Sequence, residues 1–161
     1  MFKPFKIKSK IYSDKRGKIF ENNIYYEKIN HIYSITSISK KNVLRGFHFT
    51  IGGEYKILTV LKGRIIDYCL KIEKNKLREY KFIVCQGESL YVPRYFAHAY
   101  LCLDNENIIS YHLSESYNPK NKKILKWNDP GLKINWKIKD PILSNPDKKG
   151  ESLLVCQKKY F

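Results

Sequence analysis

The sequence predicts an all-β fold, arranged as a sandwich or a barrel. Short runs of apolar, β-branched and aromatic residues recur at roughly ten-residue spacing, with Gly- or Asn-containing turn signals between them. Aromatic residues make up 14% of the chain, with 13 Tyr and 8 Phe, and this composition favours packed strands over disorder or a coiled coil. The chain shows no alternation of strands with helices, no Gly-rich phosphate-binding loop and no fixed-period repeat.

The predicted elements follow one another in a regular order. Residues 13–17 form the turn of an N-terminal hairpin that joins IKSKIY to KIFENN. The strands predicted after it read SITSIS, VLRGFHF, YKILTVL, RIIDYCLKI, REYKFIVC, SLYVP, HAYLCL and IISYHLS. The turns between them fall at Gly52-Gly53, Lys62-Gly63, Lys74-Asn75, Gln86-Gly87 and Asp104-Asn105. After Asn118 the pattern loosens into a Pro- and Asn-punctuated tail, in which we expect one short helix near residues 122–126.

The chain length, the spacing of the cysteines and the lack of an apolar targeting run predict one domain in the cytoplasm. A domain of 161 residues buries roughly two-thirds of the surface that its unfolded chain exposes, so we expect a single domain spanning residues 1–161. The sequence offers no apolar run of the kind that a signal peptide or a membrane span requires. The cysteines at positions 69, 85, 102 and 156 form no CxxC pair, so we expect them to be reduced and structural.

The chain is strongly basic. Lys and Arg number 31 against 15 acidic residues, which gives a formal net charge of +16 and an attraction to anions of any kind. The lysines are scattered from Lys3 to Lys159 and form no basic stripe interleaved with aromatic residues, which nucleic-acid modules use. We therefore expect no nucleic-acid partner, and an anionic small substrate or a solvated surface accounts for the charge as well.

The predicted strand at residues 64–72 carries polar side chains on one face. Side chains alternate along a strand, so the apolar positions 66, 68, 70 and 72 share one face, and Asp67, Cys69 and Lys71 share the other. If the polar face points inward, it lines a cavity. The same alternation also fits a strand whose Asp67 and Lys71 face solvent.

The strand VLRGFHFT, residues 43–50, contains an arginine, a glycine and a histidine, which all weaken a strand that serves packing alone. Arg45 and His48 are three residues apart, so a regular strand would point them to opposite faces. A bulge at Gly46 would bring both side chains to one face, because one extra residue changes the parity. An edge strand with a surface arginine and a hydrogen-bonded core histidine is the alternative.

Histidines are also the first residues to test for a metal site. His98 lies among apolar and aromatic residues in YVPRYFAHAY, where it is either a structural core histidine or a functional one. Metal-binding β-barrels often begin their ligand set with an HxH motif, whereas this chain has His48-Phe49-Thr50. One imidazole from each strand offers too few donors for zinc or iron, so we expect no metal site.

Six motifs, taken together, resemble the dTDP-4-dehydrorhamnose 3,5-epimerase family. They are VLRGFHF, EYKILTVLKGRIIDY, SLYVPRYFAHAYLCL, the Tyr-x5-Tyr-Asn-Pro of residues 111–119, LKWNDPGLKINW and PILSNPD, and they occur in the family's order and approximate spacing. The resemblance implies a cupin-type double-stranded β-helix, or jelly-roll barrel, with N-terminal strands and an irregular, short-helical C-terminal tail. It also implies a homodimer with exchanged N-terminal strands, a nucleotide-sugar substrate that is linked to dTDP, and no cofactor.

The resemblance assigns catalytic roles to four residues. His48 matches the catalytic base, and Asp147 matches the carboxylate paired with it. Lys56 matches the lysine near the sugar's carbonyl oxygen, and Tyr111 matches the general acid. These types suit epimerisation beside a ketone, which removes a proton, holds an enolate and returns a proton to the opposite face.

Substrate-binding roles follow from the same resemblance. The matching residues are Arg45, His98, Asp67, Thr50, Arg16 and Glu21. Arg16 and Glu21 match positions of an N-terminal hairpin that reach the nucleotide in the partner's site. Asp67 matches a barrel-lining aspartate that we expect close to His98.

Several positions depart from the family's pattern, and they are Tyr33, Ile35, Thr50 and Lys71. Polar residues usually stand at the first three, and an aspartate at the fourth. The departures concern substrate contacts, so the nucleotide, the sugar and the choice of carbon 3, carbon 5 or both stay open. The alternatives are a single-centre epimerase on another nucleotide sugar, a non-catalytic cupin that binds a nucleotide sugar, and a metal-dependent cupin enzyme.

Overall fold

The structure is a computed structural model, and it describes residues 3–15, 17–20 and 33–161. The strands are β1 Phe5–Lys8, β2 Ile11–Asp14, β3 Gly17–Phe20, β4 Tyr33–Lys40, β5 Leu44–Thr50, β6 Lys56–Lys62, β7 Arg64–Glu73, β8 Lys76–Cys85, β9 Glu88–Val92, β10 Phe96–Cys102, β11 Glu106–Leu113 and β12 Lys122–Ile124. A 3-10 turn at Pro130–Leu132 and the helices α1 Asn145–Lys148 and α2 Leu153–Tyr160 follow. Arg16 and Glu21 lie outside the described residues. None of the helices in the described ranges is long and apolar enough to cross a membrane.

Two five-stranded antiparallel sheets form the body of the fold. The first sheet has the strand order β1-β9-β6-β11-β4, and the second has the order β12-β5-β10-β7-β8. Strands β2 and β3 form the separate N-terminal hairpin that the turn signal predicts. Non-consecutive strands are neighbours in both sheets, as a jelly roll requires. The predicted all-β fold is therefore confirmed.

The space between the sheets is filled by side chains from the inner faces of both. This inner core consists of Leu58, Val60, Ile65, Cys69, Val84, Leu90, Val92, Phe96, Tyr100, Cys102, Ile109, Tyr111 and Leu113. Their alternation with outward-facing residues follows from the two-residue period of a strand. The clearest case is β11, whose residues are buried at every second position.

A second core covers the outer face of the second sheet. Trp136 of the C-terminal segment, residues 125–161, packs against Phe47 at 5.8 Å and Tyr68 at 4.8 Å between ring centroids. The helix α2 adds the buried side chains of Leu153 and Cys156 to this core. Both faces of β7 and β10 are therefore buried, and nearly every residue of these two strands is inaccessible to solvent.

The burial of both faces decides between the two interpretations of β7. The apolar face of β7 packs under the C-terminal segment, and the polar face points between the sheets. Asp67 has no solvent exposure, and Lys71 is also buried. The solvent-facing alternative is therefore wrong for this strand.

The short helix expected near residues 122–126 is wrong, because this segment begins with the strand β12. The strand pairs with the edge of β5, where Lys122 lies opposite Thr50 and Ile124 lies opposite His48. The Leu125 backbone N–H also donates to Phe47 O at 2.9 Å. Lysine and leucine favour helices, but intrinsic propensity is small and the free backbone groups of a strand edge outweigh it.

The register of β5 against β10 decides for the bulge at Gly46 and against the alternative of an edge strand with a surface arginine. His48 lies opposite His98 and Arg45 lies opposite Tyr100, so three steps along β5 match two along β10. Gly46 has a φ of +121°, and a Cβ atom there would lie 2.5 Å from His98 O. The extra residue turns Arg45 and His48 toward the same side, and only glycine fits at the crossing.

We expect Gly46→Ala to lower the free energy of unfolding by more than about 2 kcal/mol, because it adds steric overlap to backbone strain. Gly52→Ala is the matched control, since Gly52 has a φ of +87° but a Cβ atom there would meet no heavy atom within 4 Å. Strain alone predicts a loss of about 1 kcal/mol there. Urea denaturation of both variants measures the difference. Equal losses would contradict the close approach of the strands as the cause.

Candidate active site

A cleft of about 420 Å³ lies between the two sheets. Five of the predicted site residues line it, and they are Arg45, His48, Lys56, His98 and Tyr111. They come from β5, β6, β10 and β11, so both sheets contribute to one site. The other predicted residues within the described ranges, Asp67, Asp147 and Thr50, lie behind this lining and contact it through hydrogen bonds.

A short polar contact joins the cleft-lining residue His48 of β5 to the C-terminal segment. His48 Nε2 lies 2.6 Å from Asp147 Oδ1. Asp147 lies in α1, where the Ser144 hydroxyl donates to Asp147 Oδ2 at 2.8 Å and accepts from the Asp147 backbone N–H at 3.2 Å. The segment before α1 is tied to β5 by the Leu44 N–H, which donates to Ile142 O at 3.0 Å. Asp147 is therefore fixed behind the imidazole of His48.

The charge of Asp147 is stabilised by its neighbours. Burial alone would raise the pKa of this carboxyl, but the hydrogen bonds from His48 and Ser144, with the charge of Arg45, hold the pKa below its ordinary value. Arg45 itself donates to Ser39 Oγ through Nε at 3.1 Å and Nη2 at 3.0 Å. An ionised Asp147 accepts a hydrogen bond from the Nε2–H of His48, so the Nδ1 atom of the ring takes no part in this contact.

A buried carboxylate, that of Glu54, also lines the cleft. Glu54, with 1% of its side chain exposed, accepts from Lys122 Nζ at 2.7 and 2.6 Å and lies 3.5 Å from Lys56 Nζ. The Thr50 hydroxyl donates to Glu54 at 3.1 Å and accepts from Lys122 Nζ at 3.1 Å. Thr50 thus contacts Glu54 and Lys122 and does not line the cleft, whereas the family resemblance assigns it to substrate binding.

The pKa values of this network are coupled through burial and charge. Burial lowers the pKa of Lys56, the charge of Lys122 lowers it further, and the charge of Glu54 opposes both. Burial alone would raise the pKa of Glu54, but Lys56, Lys122 and Thr50 hold it below its ordinary value. The network therefore contains one carboxylate between two amines.

The carboxylate of Asp67 holds His98 in place. His98 Nδ1 lies 3.1 Å from Asp67 Oδ2, and the Cys69 thiol donates to Asp67 Oδ1 at 3.3 Å. Burial lowers the pKa of His98, the charge of Lys56 lowers it further, and Asp67 acts in the opposite direction. A neutral His98 that donates from Nδ1 presents Nε2 to the cleft as a hydrogen-bond acceptor. The expected proximity of Asp67 to His98 is confirmed.

Two tyrosines form a hydrogen-bonded chain in the cleft. Tyr111 donates its hydroxyl proton to the Tyr100 hydroxyl, and the Tyr100 hydroxyl lies 3.0 Å from Ser37 Oγ. Burial raises the pKa of Tyr100 to about 12 and raises that of Tyr111 well above its usual range. Both hydroxyls therefore carry their protons at neutral pH.

The positions that depart from the family pattern fall in different places. Ile35 of β4 lines the cleft and presents an apolar surface there, with 42% of the residue exposed. Lys71 lies outside the cleft lining, with its Nζ 5.6 Å from the Tyr95 ring centroid and 5.7 Å from that of Phe96. Within the described ranges, no three His, Cys, Asp or Glu side chains converge in the way a metal site needs.

Sequence reasoning missed several residues of the site, namely Ser37, Glu54, Tyr100, Lys122 and Ser144. The sequence does contain a signal for Glu54. This acidic residue stands two positions before Lys56 and directly before the apolar strand YKILTVL, in a chain of high positive charge. Ser144 also had one, because a serine three residues before an acidic residue is a helix N-cap pattern. The partners of Lys122 and Tyr100 come from distant strands and leave no local signal.

Comparisons with known proteins agree on one family. The family model of dTDP-4-dehydrorhamnose 3,5-epimerase matches residues 3–154. The chain is 29% identical to dTDP-4-dehydrorhamnose 3,5-epimerase of Methanothermobacter thermautotrophicus, over 91% of this chain and 88% of that protein. The structure of the Bacillus anthracis enzyme of that name, with TDP and PPi bound, has a TM-score of 0.84 at 25% identity and covers 92% of this chain and 93% of its own.

A second solved structure gives the same result. The dTDP-4-dehydrorhamnose 3,5-epimerase of Elizabethkingia anophelis is 28% identical with a TM-score of 0.81, and the match covers 98% of this chain and 93% of that one. The match to the family model extends over nearly all of the sequence, and it includes the cleft-lining strands and Asp147. The chain therefore belongs to the dTDP-4-dehydrorhamnose 3,5-epimerase family of isomerases.

Proposed function

We propose that the protein epimerises a nucleotide-linked 4-keto-6-deoxy sugar, such as dTDP-4-keto-6-deoxyglucose, at carbon 3, carbon 5 or both, in deoxysugar biosynthesis. The observation that carries this proposal is the 2.6 Å contact between His48 and Asp147 at the edge of a cleft that also contains Lys56 and Tyr111. The names of the relatives support the substrate class. Base, enolate stabiliser and acid are thus available to such a substrate in one cleft.

His48 removes the proton next to the ketone. Its Nε2–H is held by Asp147, so the lone pair of Nδ1 is available to take a proton from carbon. The carboxylate also stabilises the imidazolium that forms. General base assistance of this kind is typically worth about 10²–10⁴-fold in rate.

Lys56 stabilises the enolate that deprotonation creates. Its ammonium group lies in a cleft wall with 7% of its side chain exposed, where a fixed positive charge acts more strongly than it would in water. The negative charge of the enolate resides on the former ketone oxygen, so this oxygen belongs next to Lys56. A water-excluding site also protects the enolate from uncontrolled protonation.

Tyr111 returns a proton to the opposite face of the sugar. It lies on β11 of the first sheet, whereas His48 lies on β5 of the second, so the two side chains reach the cleft from opposing sheets. The hydroxyl gives its proton to carbon, and the electrons of the enolate form the new C–H bond. The Tyr100 hydroxyl accepts from Tyr111 before the transfer, and it is close enough to donate in the reverse direction to the tyrosinate that remains.

We assign substrate binding to the remaining polar groups of the cleft. Arg45 supplies a permanent positive charge for the diphosphate, and His98 accepts a hydrogen bond from a sugar hydroxyl through Nε2. Asp67 acts through His98, and Thr50 acts through Glu54. Arg16 and Glu21, outside the described residues, stay assigned to the nucleotide of a partner's site as part of this proposal.

A single-centre epimerase on another nucleotide sugar is the second candidate. The specific observation in its favour is Ile35, which presents an apolar surface to the cleft where the family usually offers a polar side chain. A missing hydrogen-bond donor changes which sugar hydroxyl is held, and thereby which carbon faces the base. The catalytic groups are the same in both candidates.

We also propose one domain over residues 1–161 that acts as a cytoplasmic homodimer with exchanged N-terminal strands. The strand β4 forms the end of the first sheet and exposes 67% of Ile38. An edge strand with an exposed apolar residue favours association with another chain. This edge also borders the cleft through Ile35, so association there would bring a partner close to the substrate.

Solvent exchange tests the reaction directly. In deuterium oxide with dTDP-4-keto-6-deoxyglucose, made in place by a dehydratase, we expect NMR to show loss of the hydrogen signal at carbon 3, carbon 5 or both. Exchange at one carbon would identify a single-centre enzyme. We expect His48→Asn to slow exchange by at least about 10²-fold. Unchanged exchange in that variant would contradict the mechanism. Absence of exchange in the wild-type protein, while another epimerase of the family is active under the same conditions, would contradict the substrate.

Tyr111→Phe separates the two proton transfers. We expect exchange to continue in this variant, because His48 can return a deuteron to the face from which it took the proton. Net inversion should slow by about 10²-fold or more, since the opposite face loses its proton donor. Tyr80→Phe on β8 is the matched control outside the cleft lining. Equal losses of exchange and inversion in Tyr111→Phe would argue against the assigned role.

Light scattering tests the dimer. We expect a particle of twice the 19.2 kDa chain mass, and we expect Ile38→Lys to shift it toward one chain because a charge then replaces an apolar contact. Ile83→Lys on β8, where 50% of Ile83 is exposed, is the matched control. A wild-type particle of 19.2 kDa would contradict the proposal.

A further inference from the structure

We infer that Glu54 is a positioning residue that keeps the Lys56 ammonium protonated and directed into the cleft, and that Lys122 acts against it. This inference rests on the proposed function, because it concerns the group that meets the enolate. The proposed reaction uses Glu54 only as a contact of Thr50, although its carboxylate is nearly inaccessible to solvent. A buried carboxylate in a catalytic cleft calls for a physical account.

The contacts of Glu54 show how it orders the two amines. Lys122 Nζ donates to both carboxylate oxygens, at 2.7 and 2.6 Å, and its side chain is 24% exposed. Lys56 Nζ lies at 3.5 Å and its side chain is 7% exposed. Glu54 is therefore bound tightly to the more exposed amine and more loosely to the buried one. The looser contact leaves the Lys56 ammonium able to turn toward a substrate oxygen.

Charge balance explains why both partners matter. Burial favours the neutral amine of Lys56, and Lys122 adds repulsion between like charges. The negative charge of Glu54 compensates for these two effects. Without it, two ammonium groups would line the cleft with no carboxylate between them, and the buried one would release its proton more readily.

The other titratable groups around Lys56 do not replace Glu54. They come from several elements, and they are Asp67 and Cys69 of β7, His98 of β10 and Tyr111 of β11. Asp67 favours the charged form of Lys56, but its carboxylate already accepts from His98 and Cys69. A neutral imidazole, a thiol and a phenol at the other three positions add no compensating negative charge.

Two single variants should shift the apparent pKa of Lys56 in opposite directions, and a double variant should give an intermediate value. Together these three results test the inference. Glu54→Gln keeps the side-chain shape but removes the charge, and we expect the apparent pKa of Lys56 to fall by about 1 or more. Lys122→Met removes the repulsion and should raise it. The double variant should lie between these two. Should Glu54→Gln fail to fold, the opposite shift in Lys122→Met still tests the charge balance.

The first measurement needs no substrate. Acetic anhydride reacts with neutral amines, and mass spectrometry of the peptide that contains Lys56 gives the pH at which this residue is half-reactive. We expect the midpoint to move in the order stated for the three variants. Glu106→Gln and Lys62→Met break a matched, exposed ion pair and should leave the Lys56 midpoint unchanged. An unchanged midpoint in Glu54→Gln would overturn the inference.

The second measurement follows kcat of epimerisation against pH. If Glu54 keeps Lys56 charged for catalysis, the alkaline limb of the pH profile should move to lower pH in Glu54→Gln, together with the labelling midpoint. A labelling shift without a shift of the alkaline limb would overturn the positioning role. Absence of turnover in the wild type would overturn the proposed function instead, while the labelling midpoints would still decide whether Glu54 controls the charge of Lys56.

Discussion

The crossing of β5 and β10 at Gly46 is the constraint on which the cleft depends. The two backbones approach so closely there that a Cβ atom would overlap His98 O. The extra residue in β5 places Arg45 and His48 on the same side, although their spacing would separate them in a regular strand. The polar residues of VLRGFHFT thus do not interrupt a packing strand. They are carried by a strand whose geometry has been adapted to present them.

Charge placement in the cleft follows from the cost of burial. Asp67, Glu54 and Asp147 are all buried, and each lies within hydrogen-bond or ion-pair distance of a basic side chain. A buried carboxylate without such partners would be strongly unfavourable. The basic residues in turn retain charges or tautomers that would otherwise be lost on burial. Contacts between carboxylates and basic side chains therefore let a mostly apolar barrel interior contain several ionisable groups.

Most strands could be predicted from the sequence because their alternation is local information, but the site required more. The bulge in β5 depends on the register against β10, and the pairing of His48 with Asp147 was expected from the family resemblance, not from spacing. The lysines of residues 122–126 suggested a helix, yet the edge of β5 offered backbone partners that override such weak preferences. Since the resulting strand brings Lys122 to Glu54, the wrong helix and the missed site residue have one cause.

The C-terminal segment has a consequence for the order in which the enzyme matures. His48 and Asp147 are separated by 99 positions, and Asp147 reaches the imidazole only after this segment has docked on the outer face of the second sheet. Closing such a long loop is slow relative to forming the hairpins of the barrel. During synthesis all residues that line the cleft leave the ribosome before Asp147 does. Local detachment of the segment would withdraw Asp147 from the imidazole and would also expose the apolar outer face of the second sheet.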